Sequence, residues 1–465
     1  MPAELSRSLR PRHITMISIG GIIGAGLFVG SSAAIVGAGP AIVLSYLITG
    51  LLVLLVMRML GEMALALPQV RSFTEFARAG LGPWAGFVAG WLYWYFWIIV
   101  VPVEAIAGAN ILHSWFQGTL DLPAWLLGLV LMAVMTAVNL MSARSYGEFE
   151  FWFASIKVAA ILVFIALAAA FACGLTSGSG PTFGNLSAYG GFAPHGPLAV
   201  LAGAVTVYFS LTGAEITTIA AAESSEPARA VAQMSTSVIL RILTFYVGSI
   251  FLIVSVVPWV QVRSGESPFT LALRVMHFKW AGLLMDAIIL TAVLSCLNSA
   301  FYVCSRVLFV LAEHGDAPQW LVQLNSRRVP SRSVWIGSLA GVVGILAAIN
   351  YSQTVFAFLV NASGALIVFV YMMIAIAHIR LRRAREASGA PAPALTMWFF
   401  PWASYAAVAG MAAILVAMAF TPGELTSELR WSVISLAVAG GAYLLVRARR
   451  KTLAVNAGMP GTAGN

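Results

Sequence analysis

Twelve stretches of about 20 consecutive, mostly apolar residues run through the chain. No other feature restricts its fold as much. The hydrocarbon core of a bilayer is roughly 30 Å thick, and a helix rising 1.5 Å per residue needs about 20 residues to cross it. The stretches fall near residues 14–36, 41–63, 84–113, 124–141, 149–171, 197–221, 237–257, 283–312, 334–349, 354–378, 399–420 and 429–446. Composition removes the soluble alternative. Only 9% of the 465 residues are charged and 60% are hydrophobic, whereas a water-facing domain carries about 25% charged residues. The expected fold class is an all-α membrane protein with twelve transmembrane helices. It forms a single integral domain over residues 1–465, with a short leading segment (1–13) and a tail (447–465). The first apolar stretch reads as a retained span rather than a removable leader, because eleven more follow it.

The net charge of +9 does not point to nucleic acid. When the connections are assigned alternately to the two sides, and a Lys or Arg within a stretch is counted with its nearer end, all but four of the 26 Lys and Arg fall on the side that holds both termini. The exceptions are Arg263, Arg274, Lys279 and Arg430. This is the positive-inside pattern, so both termini are expected in the cytoplasm and the basic residues are expected to meet anionic head groups. The connection near 174–196 is rich in Gly, Ser and Pro and reads as an external, turn-rich loop; the other connections read as short. Cys173, Cys296 and Cys304 have no disulfide or metal spacing, and the two within the eighth stretch read as small core residues. His113, His195, His277 and His314 form no ligand cluster. There is no phosphate-binding loop, so neither metal chemistry nor direct ATP drive is expected.

Two stretches are interrupted. The first, ISIGGIIGAGLFVG, contains Gly20, Gly21, Gly24, Gly26 and Gly30; the sixth contains Gly213 in VYFSLTGAEITTIAAAES. They open the first and second groups of five stretches, residues 14–174 and 197–378. Matching interruptions of this kind are the sequence mark of an inverted-repeat transporter. Lipid cannot satisfy a backbone N–H or C=O, so an unwound segment persists only where it lines a cavity. Its free N–H groups attract a carboxylate and its free carbonyls attract an ammonium, so two facing breaks suit a zwitterion. The competing reading of the glycines is close helix packing, since Gly20 with Gly24 and Gly26 with Gly30 both fit the small-xxx-small spacing.

Ionisable side chains at membrane depth are the other candidates. Lys157, two turns into the fifth stretch, suits ion coupling, or else snorkels to an interface. Glu215 follows the break at Gly213. It could bind a substrate amine, relay protons, or pin the broken helix. Glu104, two residues after Pro102, could join a proton path or serve a proline kink. Asp286 reads as an interface residue. Phe209 could cap a site or simply pack. The aromatic stretch 91–97 reads as a mixture of interface and core.

At these residues the chain resembles the bacterial amino acid permeases of the amino acid–polyamine–organocation superfamily, and among them the γ-aminobutyrate (GABA) permeases. The resemblance runs from RHITMISIGGIIGAGLFVGSS to MWFFPW at 397–402. It is carried by GWLYWYFW (90–97), YGEFEFW (146–152), GAEITTIAAAESSEP (213–227) and SCLNSAFYVCSRVLF (295–309). It implies a LeuT-like five-plus-five inverted repeat with helices 1 and 6 broken, in a bacterial cytoplasmic membrane. The coupling ion would be the proton, and there would be no cofactor. The resemblance implies that Gly24, Ala25 and Gly26 offer N–H groups to the substrate carboxylate, that Thr212, Gly213 and nearby carbonyls face its amine under Phe209, and that Ile23 and Glu215 complete the substrate site. Lys157, with Glu104 and Glu223, would handle the proton. Many members have Thr or Ser where this chain has Ala25, and the lost hydroxyl leaves room for a longer zwitterion such as GABA. The alternatives are a permease for basic, aromatic or small neutral amino acids, an exchanger, or a nutrient sensor or membrane enzyme. The expected partners are the substrate, protons and lipid. The oligomeric state is left open.

Overall fold

The computed structural model describes residue 16 and residues 23–70, 72–176, 180–221, 242–349, 352–421 and 424–456. Among the described residues every regular element is helical. A π-helical turn, Gly26–Gly30, leads into α1 (Ser31–Ala38), and α2 spans Ile42–Ala66. A short amphipathic helix, α3 (Phe73–Leu81), precedes the long α4 (Pro83–Phe116). Next come α5 (Ala124–Met141), α6 (Ala143–Ala172), and α7 (Gly196–Leu211) with its short continuation α8 (Ile216–Ala221). A second π-helical stretch, Ile242–Gly248, feeds α9 (Ser249–Val256), and α10 (Pro268–Val275) is short. The remaining helices are α11 (Ala281–Glu313), α12 (Ser331–Ala347), α13 (Ser352–Ala387), α14 (Trp402–Phe420) and α15 (Glu424–Asn456).

Nine helical runs among the described residues are long and apolar enough to cross a membrane, and two shorter apolar helices accompany them. The first run, Gly26–Ala66, has 41 residues. As one straight helix it would measure about 60 Å, twice the hydrocarbon thickness. It is not straight: Gly39 takes φ 64°, and a 3₁₀ turn, Gly39–Ala41, separates α1 from α2. A Cβ at Gly39 would lie 2.5 Å from the Pro194 ring, so the turn needs glycine for space as well as conformation.

Local signals place the helix starts. Pro83 follows Gly82 (φ 99°) at the head of α4, where a missing N–H costs nothing. The Ser142 and Ser267 hydroxyls accept the Ser145 and Thr270 N–H groups at 3.1 and 3.3 Å and cap α6 and α10. α4 and α11 form the centre, with α6 and α12 against them and α13 against α4. α15 lies at the rim. The exposed side chains of the spans are apolar, for example Leu51, Trp152, Leu339, Val438 and Leu445, as lipid contact requires.

Three expectations change. The tenth stretch does not end near 378. α13 continues to Ala387, so Arg380, Arg382, Arg383 and Arg385 ride on a helix rather than a loop. Glu62 of α2 anchors that extension. Its carboxylate meets His378 (3.1 Å), Arg382 (3.2 Å) and Arg385 (2.9 Å), and accepts the Met397 N–H at 2.6 Å. Likewise α15 continues past 446 to Asn456. The connections at 63–84 and 257–283 are not plain short loops, because they hold α3 and α10. Arg78 of α3 pairs with Glu75 and with Asp316 beyond α11, and Trp91 Nε1 of α4 donates to the Asp316 carbonyl at 3.2 Å. The turn-rich connection near 174–196 packs back on the helix ends. Asn185 Nδ2 donates to the Ser255 carbonyl (2.9 Å), and the Ala41 N–H donates to the Phe192 carbonyl (2.8 Å). The start of the seventh stretch (237–241) and nearly all of 14–22 lie outside the described residues.

Candidate functional site

The chain is unwound at residues 23–24, just before the π-turn, and at residues 212–215, between α7 and α8. Both interruptions fall where the glycines suggested. Gly213 takes φ 123°, a conformation that side chains strain. The two breaks are stitched together by Ser210, whose hydroxyl donates to the Gly26 carbonyl at 2.8 Å. Tyr246 OH in turn donates to the Ser210 carbonyl at 2.9 Å. A Cβ at Gly26 would lie 3.0 Å from Ser210 Cα and 3.1 Å from the Phe209 ring, so glycine lets the segments approach. Phe209 lies against this point with its ring 6.0 Å from Phe96. A Cβ at Gly24 would lie 2.8 Å from Cys296 Sγ and 3.1 Å from Glu104 Oε1. Gly30 has nothing nearer than 3.8 Å, so the Gly26–Gly30 packing motif is not used as a helix contact. Gly20 and Gly21 lie outside the described residues.

Glu104 is buried on α4 and accepts the Ala25 N–H at Oε1, 3.3 Å away. One backbone donor of the first break is therefore held by a protein carboxylate. Glu215 is wholly buried at the second break. Its carboxylate accepts Tyr93 OH (2.9 Å), Tyr371 OH (2.6 Å) and the Gly213 N–H (3.0 Å). Three donors from two helices and the break itself tie the unwound turn to α4 and α13. This geometry fits the pinning reading of Glu215. The Thr212 hydroxyl donates back to the Tyr208 carbonyl at 2.7 Å, closing the end of α7.

Lys157 does not snorkel. It is wholly buried, and its ammonium donates to the Ile23 carbonyl (2.6 Å) at the first break and to Ser295 Oγ (2.8 Å) of α11. Ser295 in turn donates to Glu150 Oε1 at 2.6 Å. Glu150, also wholly buried, is 4.0 Å from the Lys157 nitrogen. Below it, Asn139 Nδ2 donates to Asn298 Oδ1 at 2.9 Å, and Tyr146 shares a 3.2 Å hydrogen bond with Ser299.

Lys157, Glu104 and the residues of both breaks thus come together, whereas Glu223 lies outside the described residues and Asp286 is half-buried away from them. Sequence reading missed Glu150, although it stands inside YGEFEFW. Its separation of seven from Lys157 puts both on one helix face, a signal that was available. It also read Cys296 as a plain core residue, yet Cys296 abuts Gly24. Tyr93 was read only as part of the aromatic stretch 91–97, and Tyr371 had no local signal.

With this geometry in view, comparisons with known proteins are informative. The family model for amino acid permeases matches residues 13–456. The chain is 44% identical over 447 residues to the gamma-aminobutyric acid permease of Bacillus subtilis (strain 168), covering 96% of this chain and 94% of that one. It is 46% identical over 427 residues to a probable GABA permease of Pseudomonas aeruginosa, covering 90% and 88%. It is 36% identical over 424 residues to the aromatic amino acid transport protein of Escherichia coli (strain K12), covering 90% and 91%.

Proposed function

The chain belongs to the amino acid permease family, and from that premise we propose that it imports GABA or a related small zwitterion by proton symport. The observation that carries the reading is the meeting of two unwound segments, held by the Ser210 bridge to Gly26. Their backbone groups suit opposite charges on one small molecule. In this reading the substrate carboxylate meets the N–H groups of residues 24–26, displacing Glu104 from Ala25. The amine faces the carbonyls around Thr212 and Gly213, with Phe209 over the site. Glu215 holds the second break in shape. Lys157, bound to the Ile23 carbonyl, loses its proton once the site faces inward, which releases that carbonyl and commits the cycle. The Ala25 position leaves room for a longer substrate.

The fold that serves this cycle is proposed to have twelve spans. Residues 14–174 and 197–378 form LeuT-like inverted repeats of five helices, and two further helices follow at 399–446. The proposed setting is a bacterial cytoplasmic membrane with both termini inside, supported by the skew of Lys and Arg. The relative of 36% identity that bears an aromatic amino acid name supports a second reading, an aromatic substrate.

Labelled GABA uptake into proteoliposomes under an inward proton gradient, with and without a protonophore, tests the proposal. Accumulation that the protonophore abolishes is expected. Uptake that ignores the gradient removes proton coupling. Uptake blocked by phenylalanine or tryptophan but absent for GABA moves the substrate to the aromatic class.

A further inference from the structure

The buried carboxylate of Glu150 lies outside every role assigned above. It is held on α6 seven residues before Lys157, about 10 Å nearer the helix start. That start lies at the end of the bundle where Arg78 makes its ion pairs, because Asn325 and Asp316 both follow α11, and Asn325 Nδ2 donates to the Leu140 carbonyl at the end of α5 while Asp316 pairs with Arg78. Between the two charged groups stands one hydroxyl. Lys157 Nζ donates to Ser295 Oγ at 2.8 Å, and Ser295 Oγ donates to Glu150 Oε1 at 2.6 Å. A hydroxyl that accepts from an ammonium and donates to a carboxylate is aligned to pass a proton from one to the other. The direct distance of 4.0 Å is too long for the same transfer. Glu104 and Cys296 are the other titratable groups that face Lys157. Asn298 and Ser299 of α11 stand beside Glu150. Glu150 Oε2 has no hydrogen-bond partner among the described residues, so no bond to Oε2 holds the carboxyl group, and its rotation carries a proton received on Oε1 round to that side.

We propose that Glu150 is the inward proton acceptor of Lys157, reached through Ser295; this rests on the proton-symport reading. The Lys157 ammonium gives a proton to Ser295 Oγ as the Ser295 hydroxyl proton moves to Glu150 Oε1. One N–H and one O–H bond break and two O–H bonds form. The ammonium becomes an amine, the carboxylate becomes a carboxylic acid, and serine is unchanged. An ion pair sealed from water becomes a neutral pair, so no net charge is created at depth, where an unpaired charge is costly. Lys157 then lets go of the Ile23 carbonyl, and the proton leaves Glu150 toward the basic end.

The test compares wild type, Glu150→Gln and Ser295→Ala in proteoliposomes, each checked for monodispersity. Two readouts are taken: gradient-driven GABA accumulation, and GABA counterflow with no gradient. Both variants should lose accumulation, Glu150→Gln by about 100-fold as expected for loss of a proton acceptor, while counterflow persists. Infrared difference spectra on acidification should show a carboxylic acid band that disappears in Glu150→Gln. Ser295→Ala retains both charged groups and carries the test if the glutamine variant does not fold. Normal accumulation in either folded variant overturns the relay, and so does equal loss of counterflow and accumulation, which marks Glu150 as a structural counter-ion only. If wild type itself accumulates nothing under the gradient, the symport reading fails first and the relay fails with it.

Discussion

Removing the Tyr371 hydroxyl tests what Glu215 is for. In Tyr371→Phe the ring still fills its place, but Glu215 Oε2 loses a 2.6 Å donor and keeps the Gly213 N–H, while Oε1 keeps Tyr93. A hydrogen bond to a charged group is worth about 1.5–3 kcal/mol, and the site is sealed from water, so nothing replaces the donor. A loss of about 2 kcal/mol from the folded state shortens the thermal inactivation half-life in detergent about 30-fold. The decisive measurement is the cycle with Glu215→Gln. If the hydroxyl acts through the carboxylate, the cost of Tyr371→Phe should shrink by at least about 1 kcal/mol in the glutamine background. Additive costs would refute the pinning argument. A normal half-life combined with a raised KM in Tyr371→Phe would instead return Glu215 to the substrate.

Three further outcomes follow from the same geometry. Gly24→Ala should impair uptake, because its methyl would meet Cys296 Sγ at 2.8 Å and Cys296 Cβ at 2.9 Å, an overpacking of about 1–3 kcal/mol. Adding Cys296→Gly should restore uptake better than adding Cys296→Ala, and equal rescue would contradict the packing. Gly213→Ala should cost about 1–3 kcal/mol of backbone strain at φ 123°, read as faster thermal inactivation, and unchanged stability would mean that the break relaxes freely. Lys157→Ala should abolish uphill accumulation of labelled GABA, and retained accumulation would remove Lys157 from coupling.

Much of the architecture was legible locally because partition into lipid is a local property. Stretches of about 20 apolar residues can lie only in the bilayer, and α4, α5, α6 and α11 appear within a few residues of where the stretches ended. The breaks were legible too, since a glycine at Gly213 and a cluster before Gly30 mark where backbone leaves the helix. The α13 extension was less legible, because Arg380–Arg385 reads equally well as a basic loop. Its helix is secured by Glu62, more than 300 residues earlier in the chain.

The sequence by itself determined that this chain crosses a membrane many times, where its helices break, and that Lys157, Glu104 and Glu215 are candidates for membrane depth. Each of these follows from the cost of placing one residue in lipid or water. Only the tertiary structure decided the partners. Lys157 reaches the Ile23 carbonyl across 134 positions and Ser295 across 138. Glu215 gathers tyrosines 122 and 156 positions away. The physical reason is that a helix apolar on every side carries no stripe to announce which face turns inward. Rotation in the bundle is set by packing and by the few interhelical hydrogen bonds that lipid cannot supply.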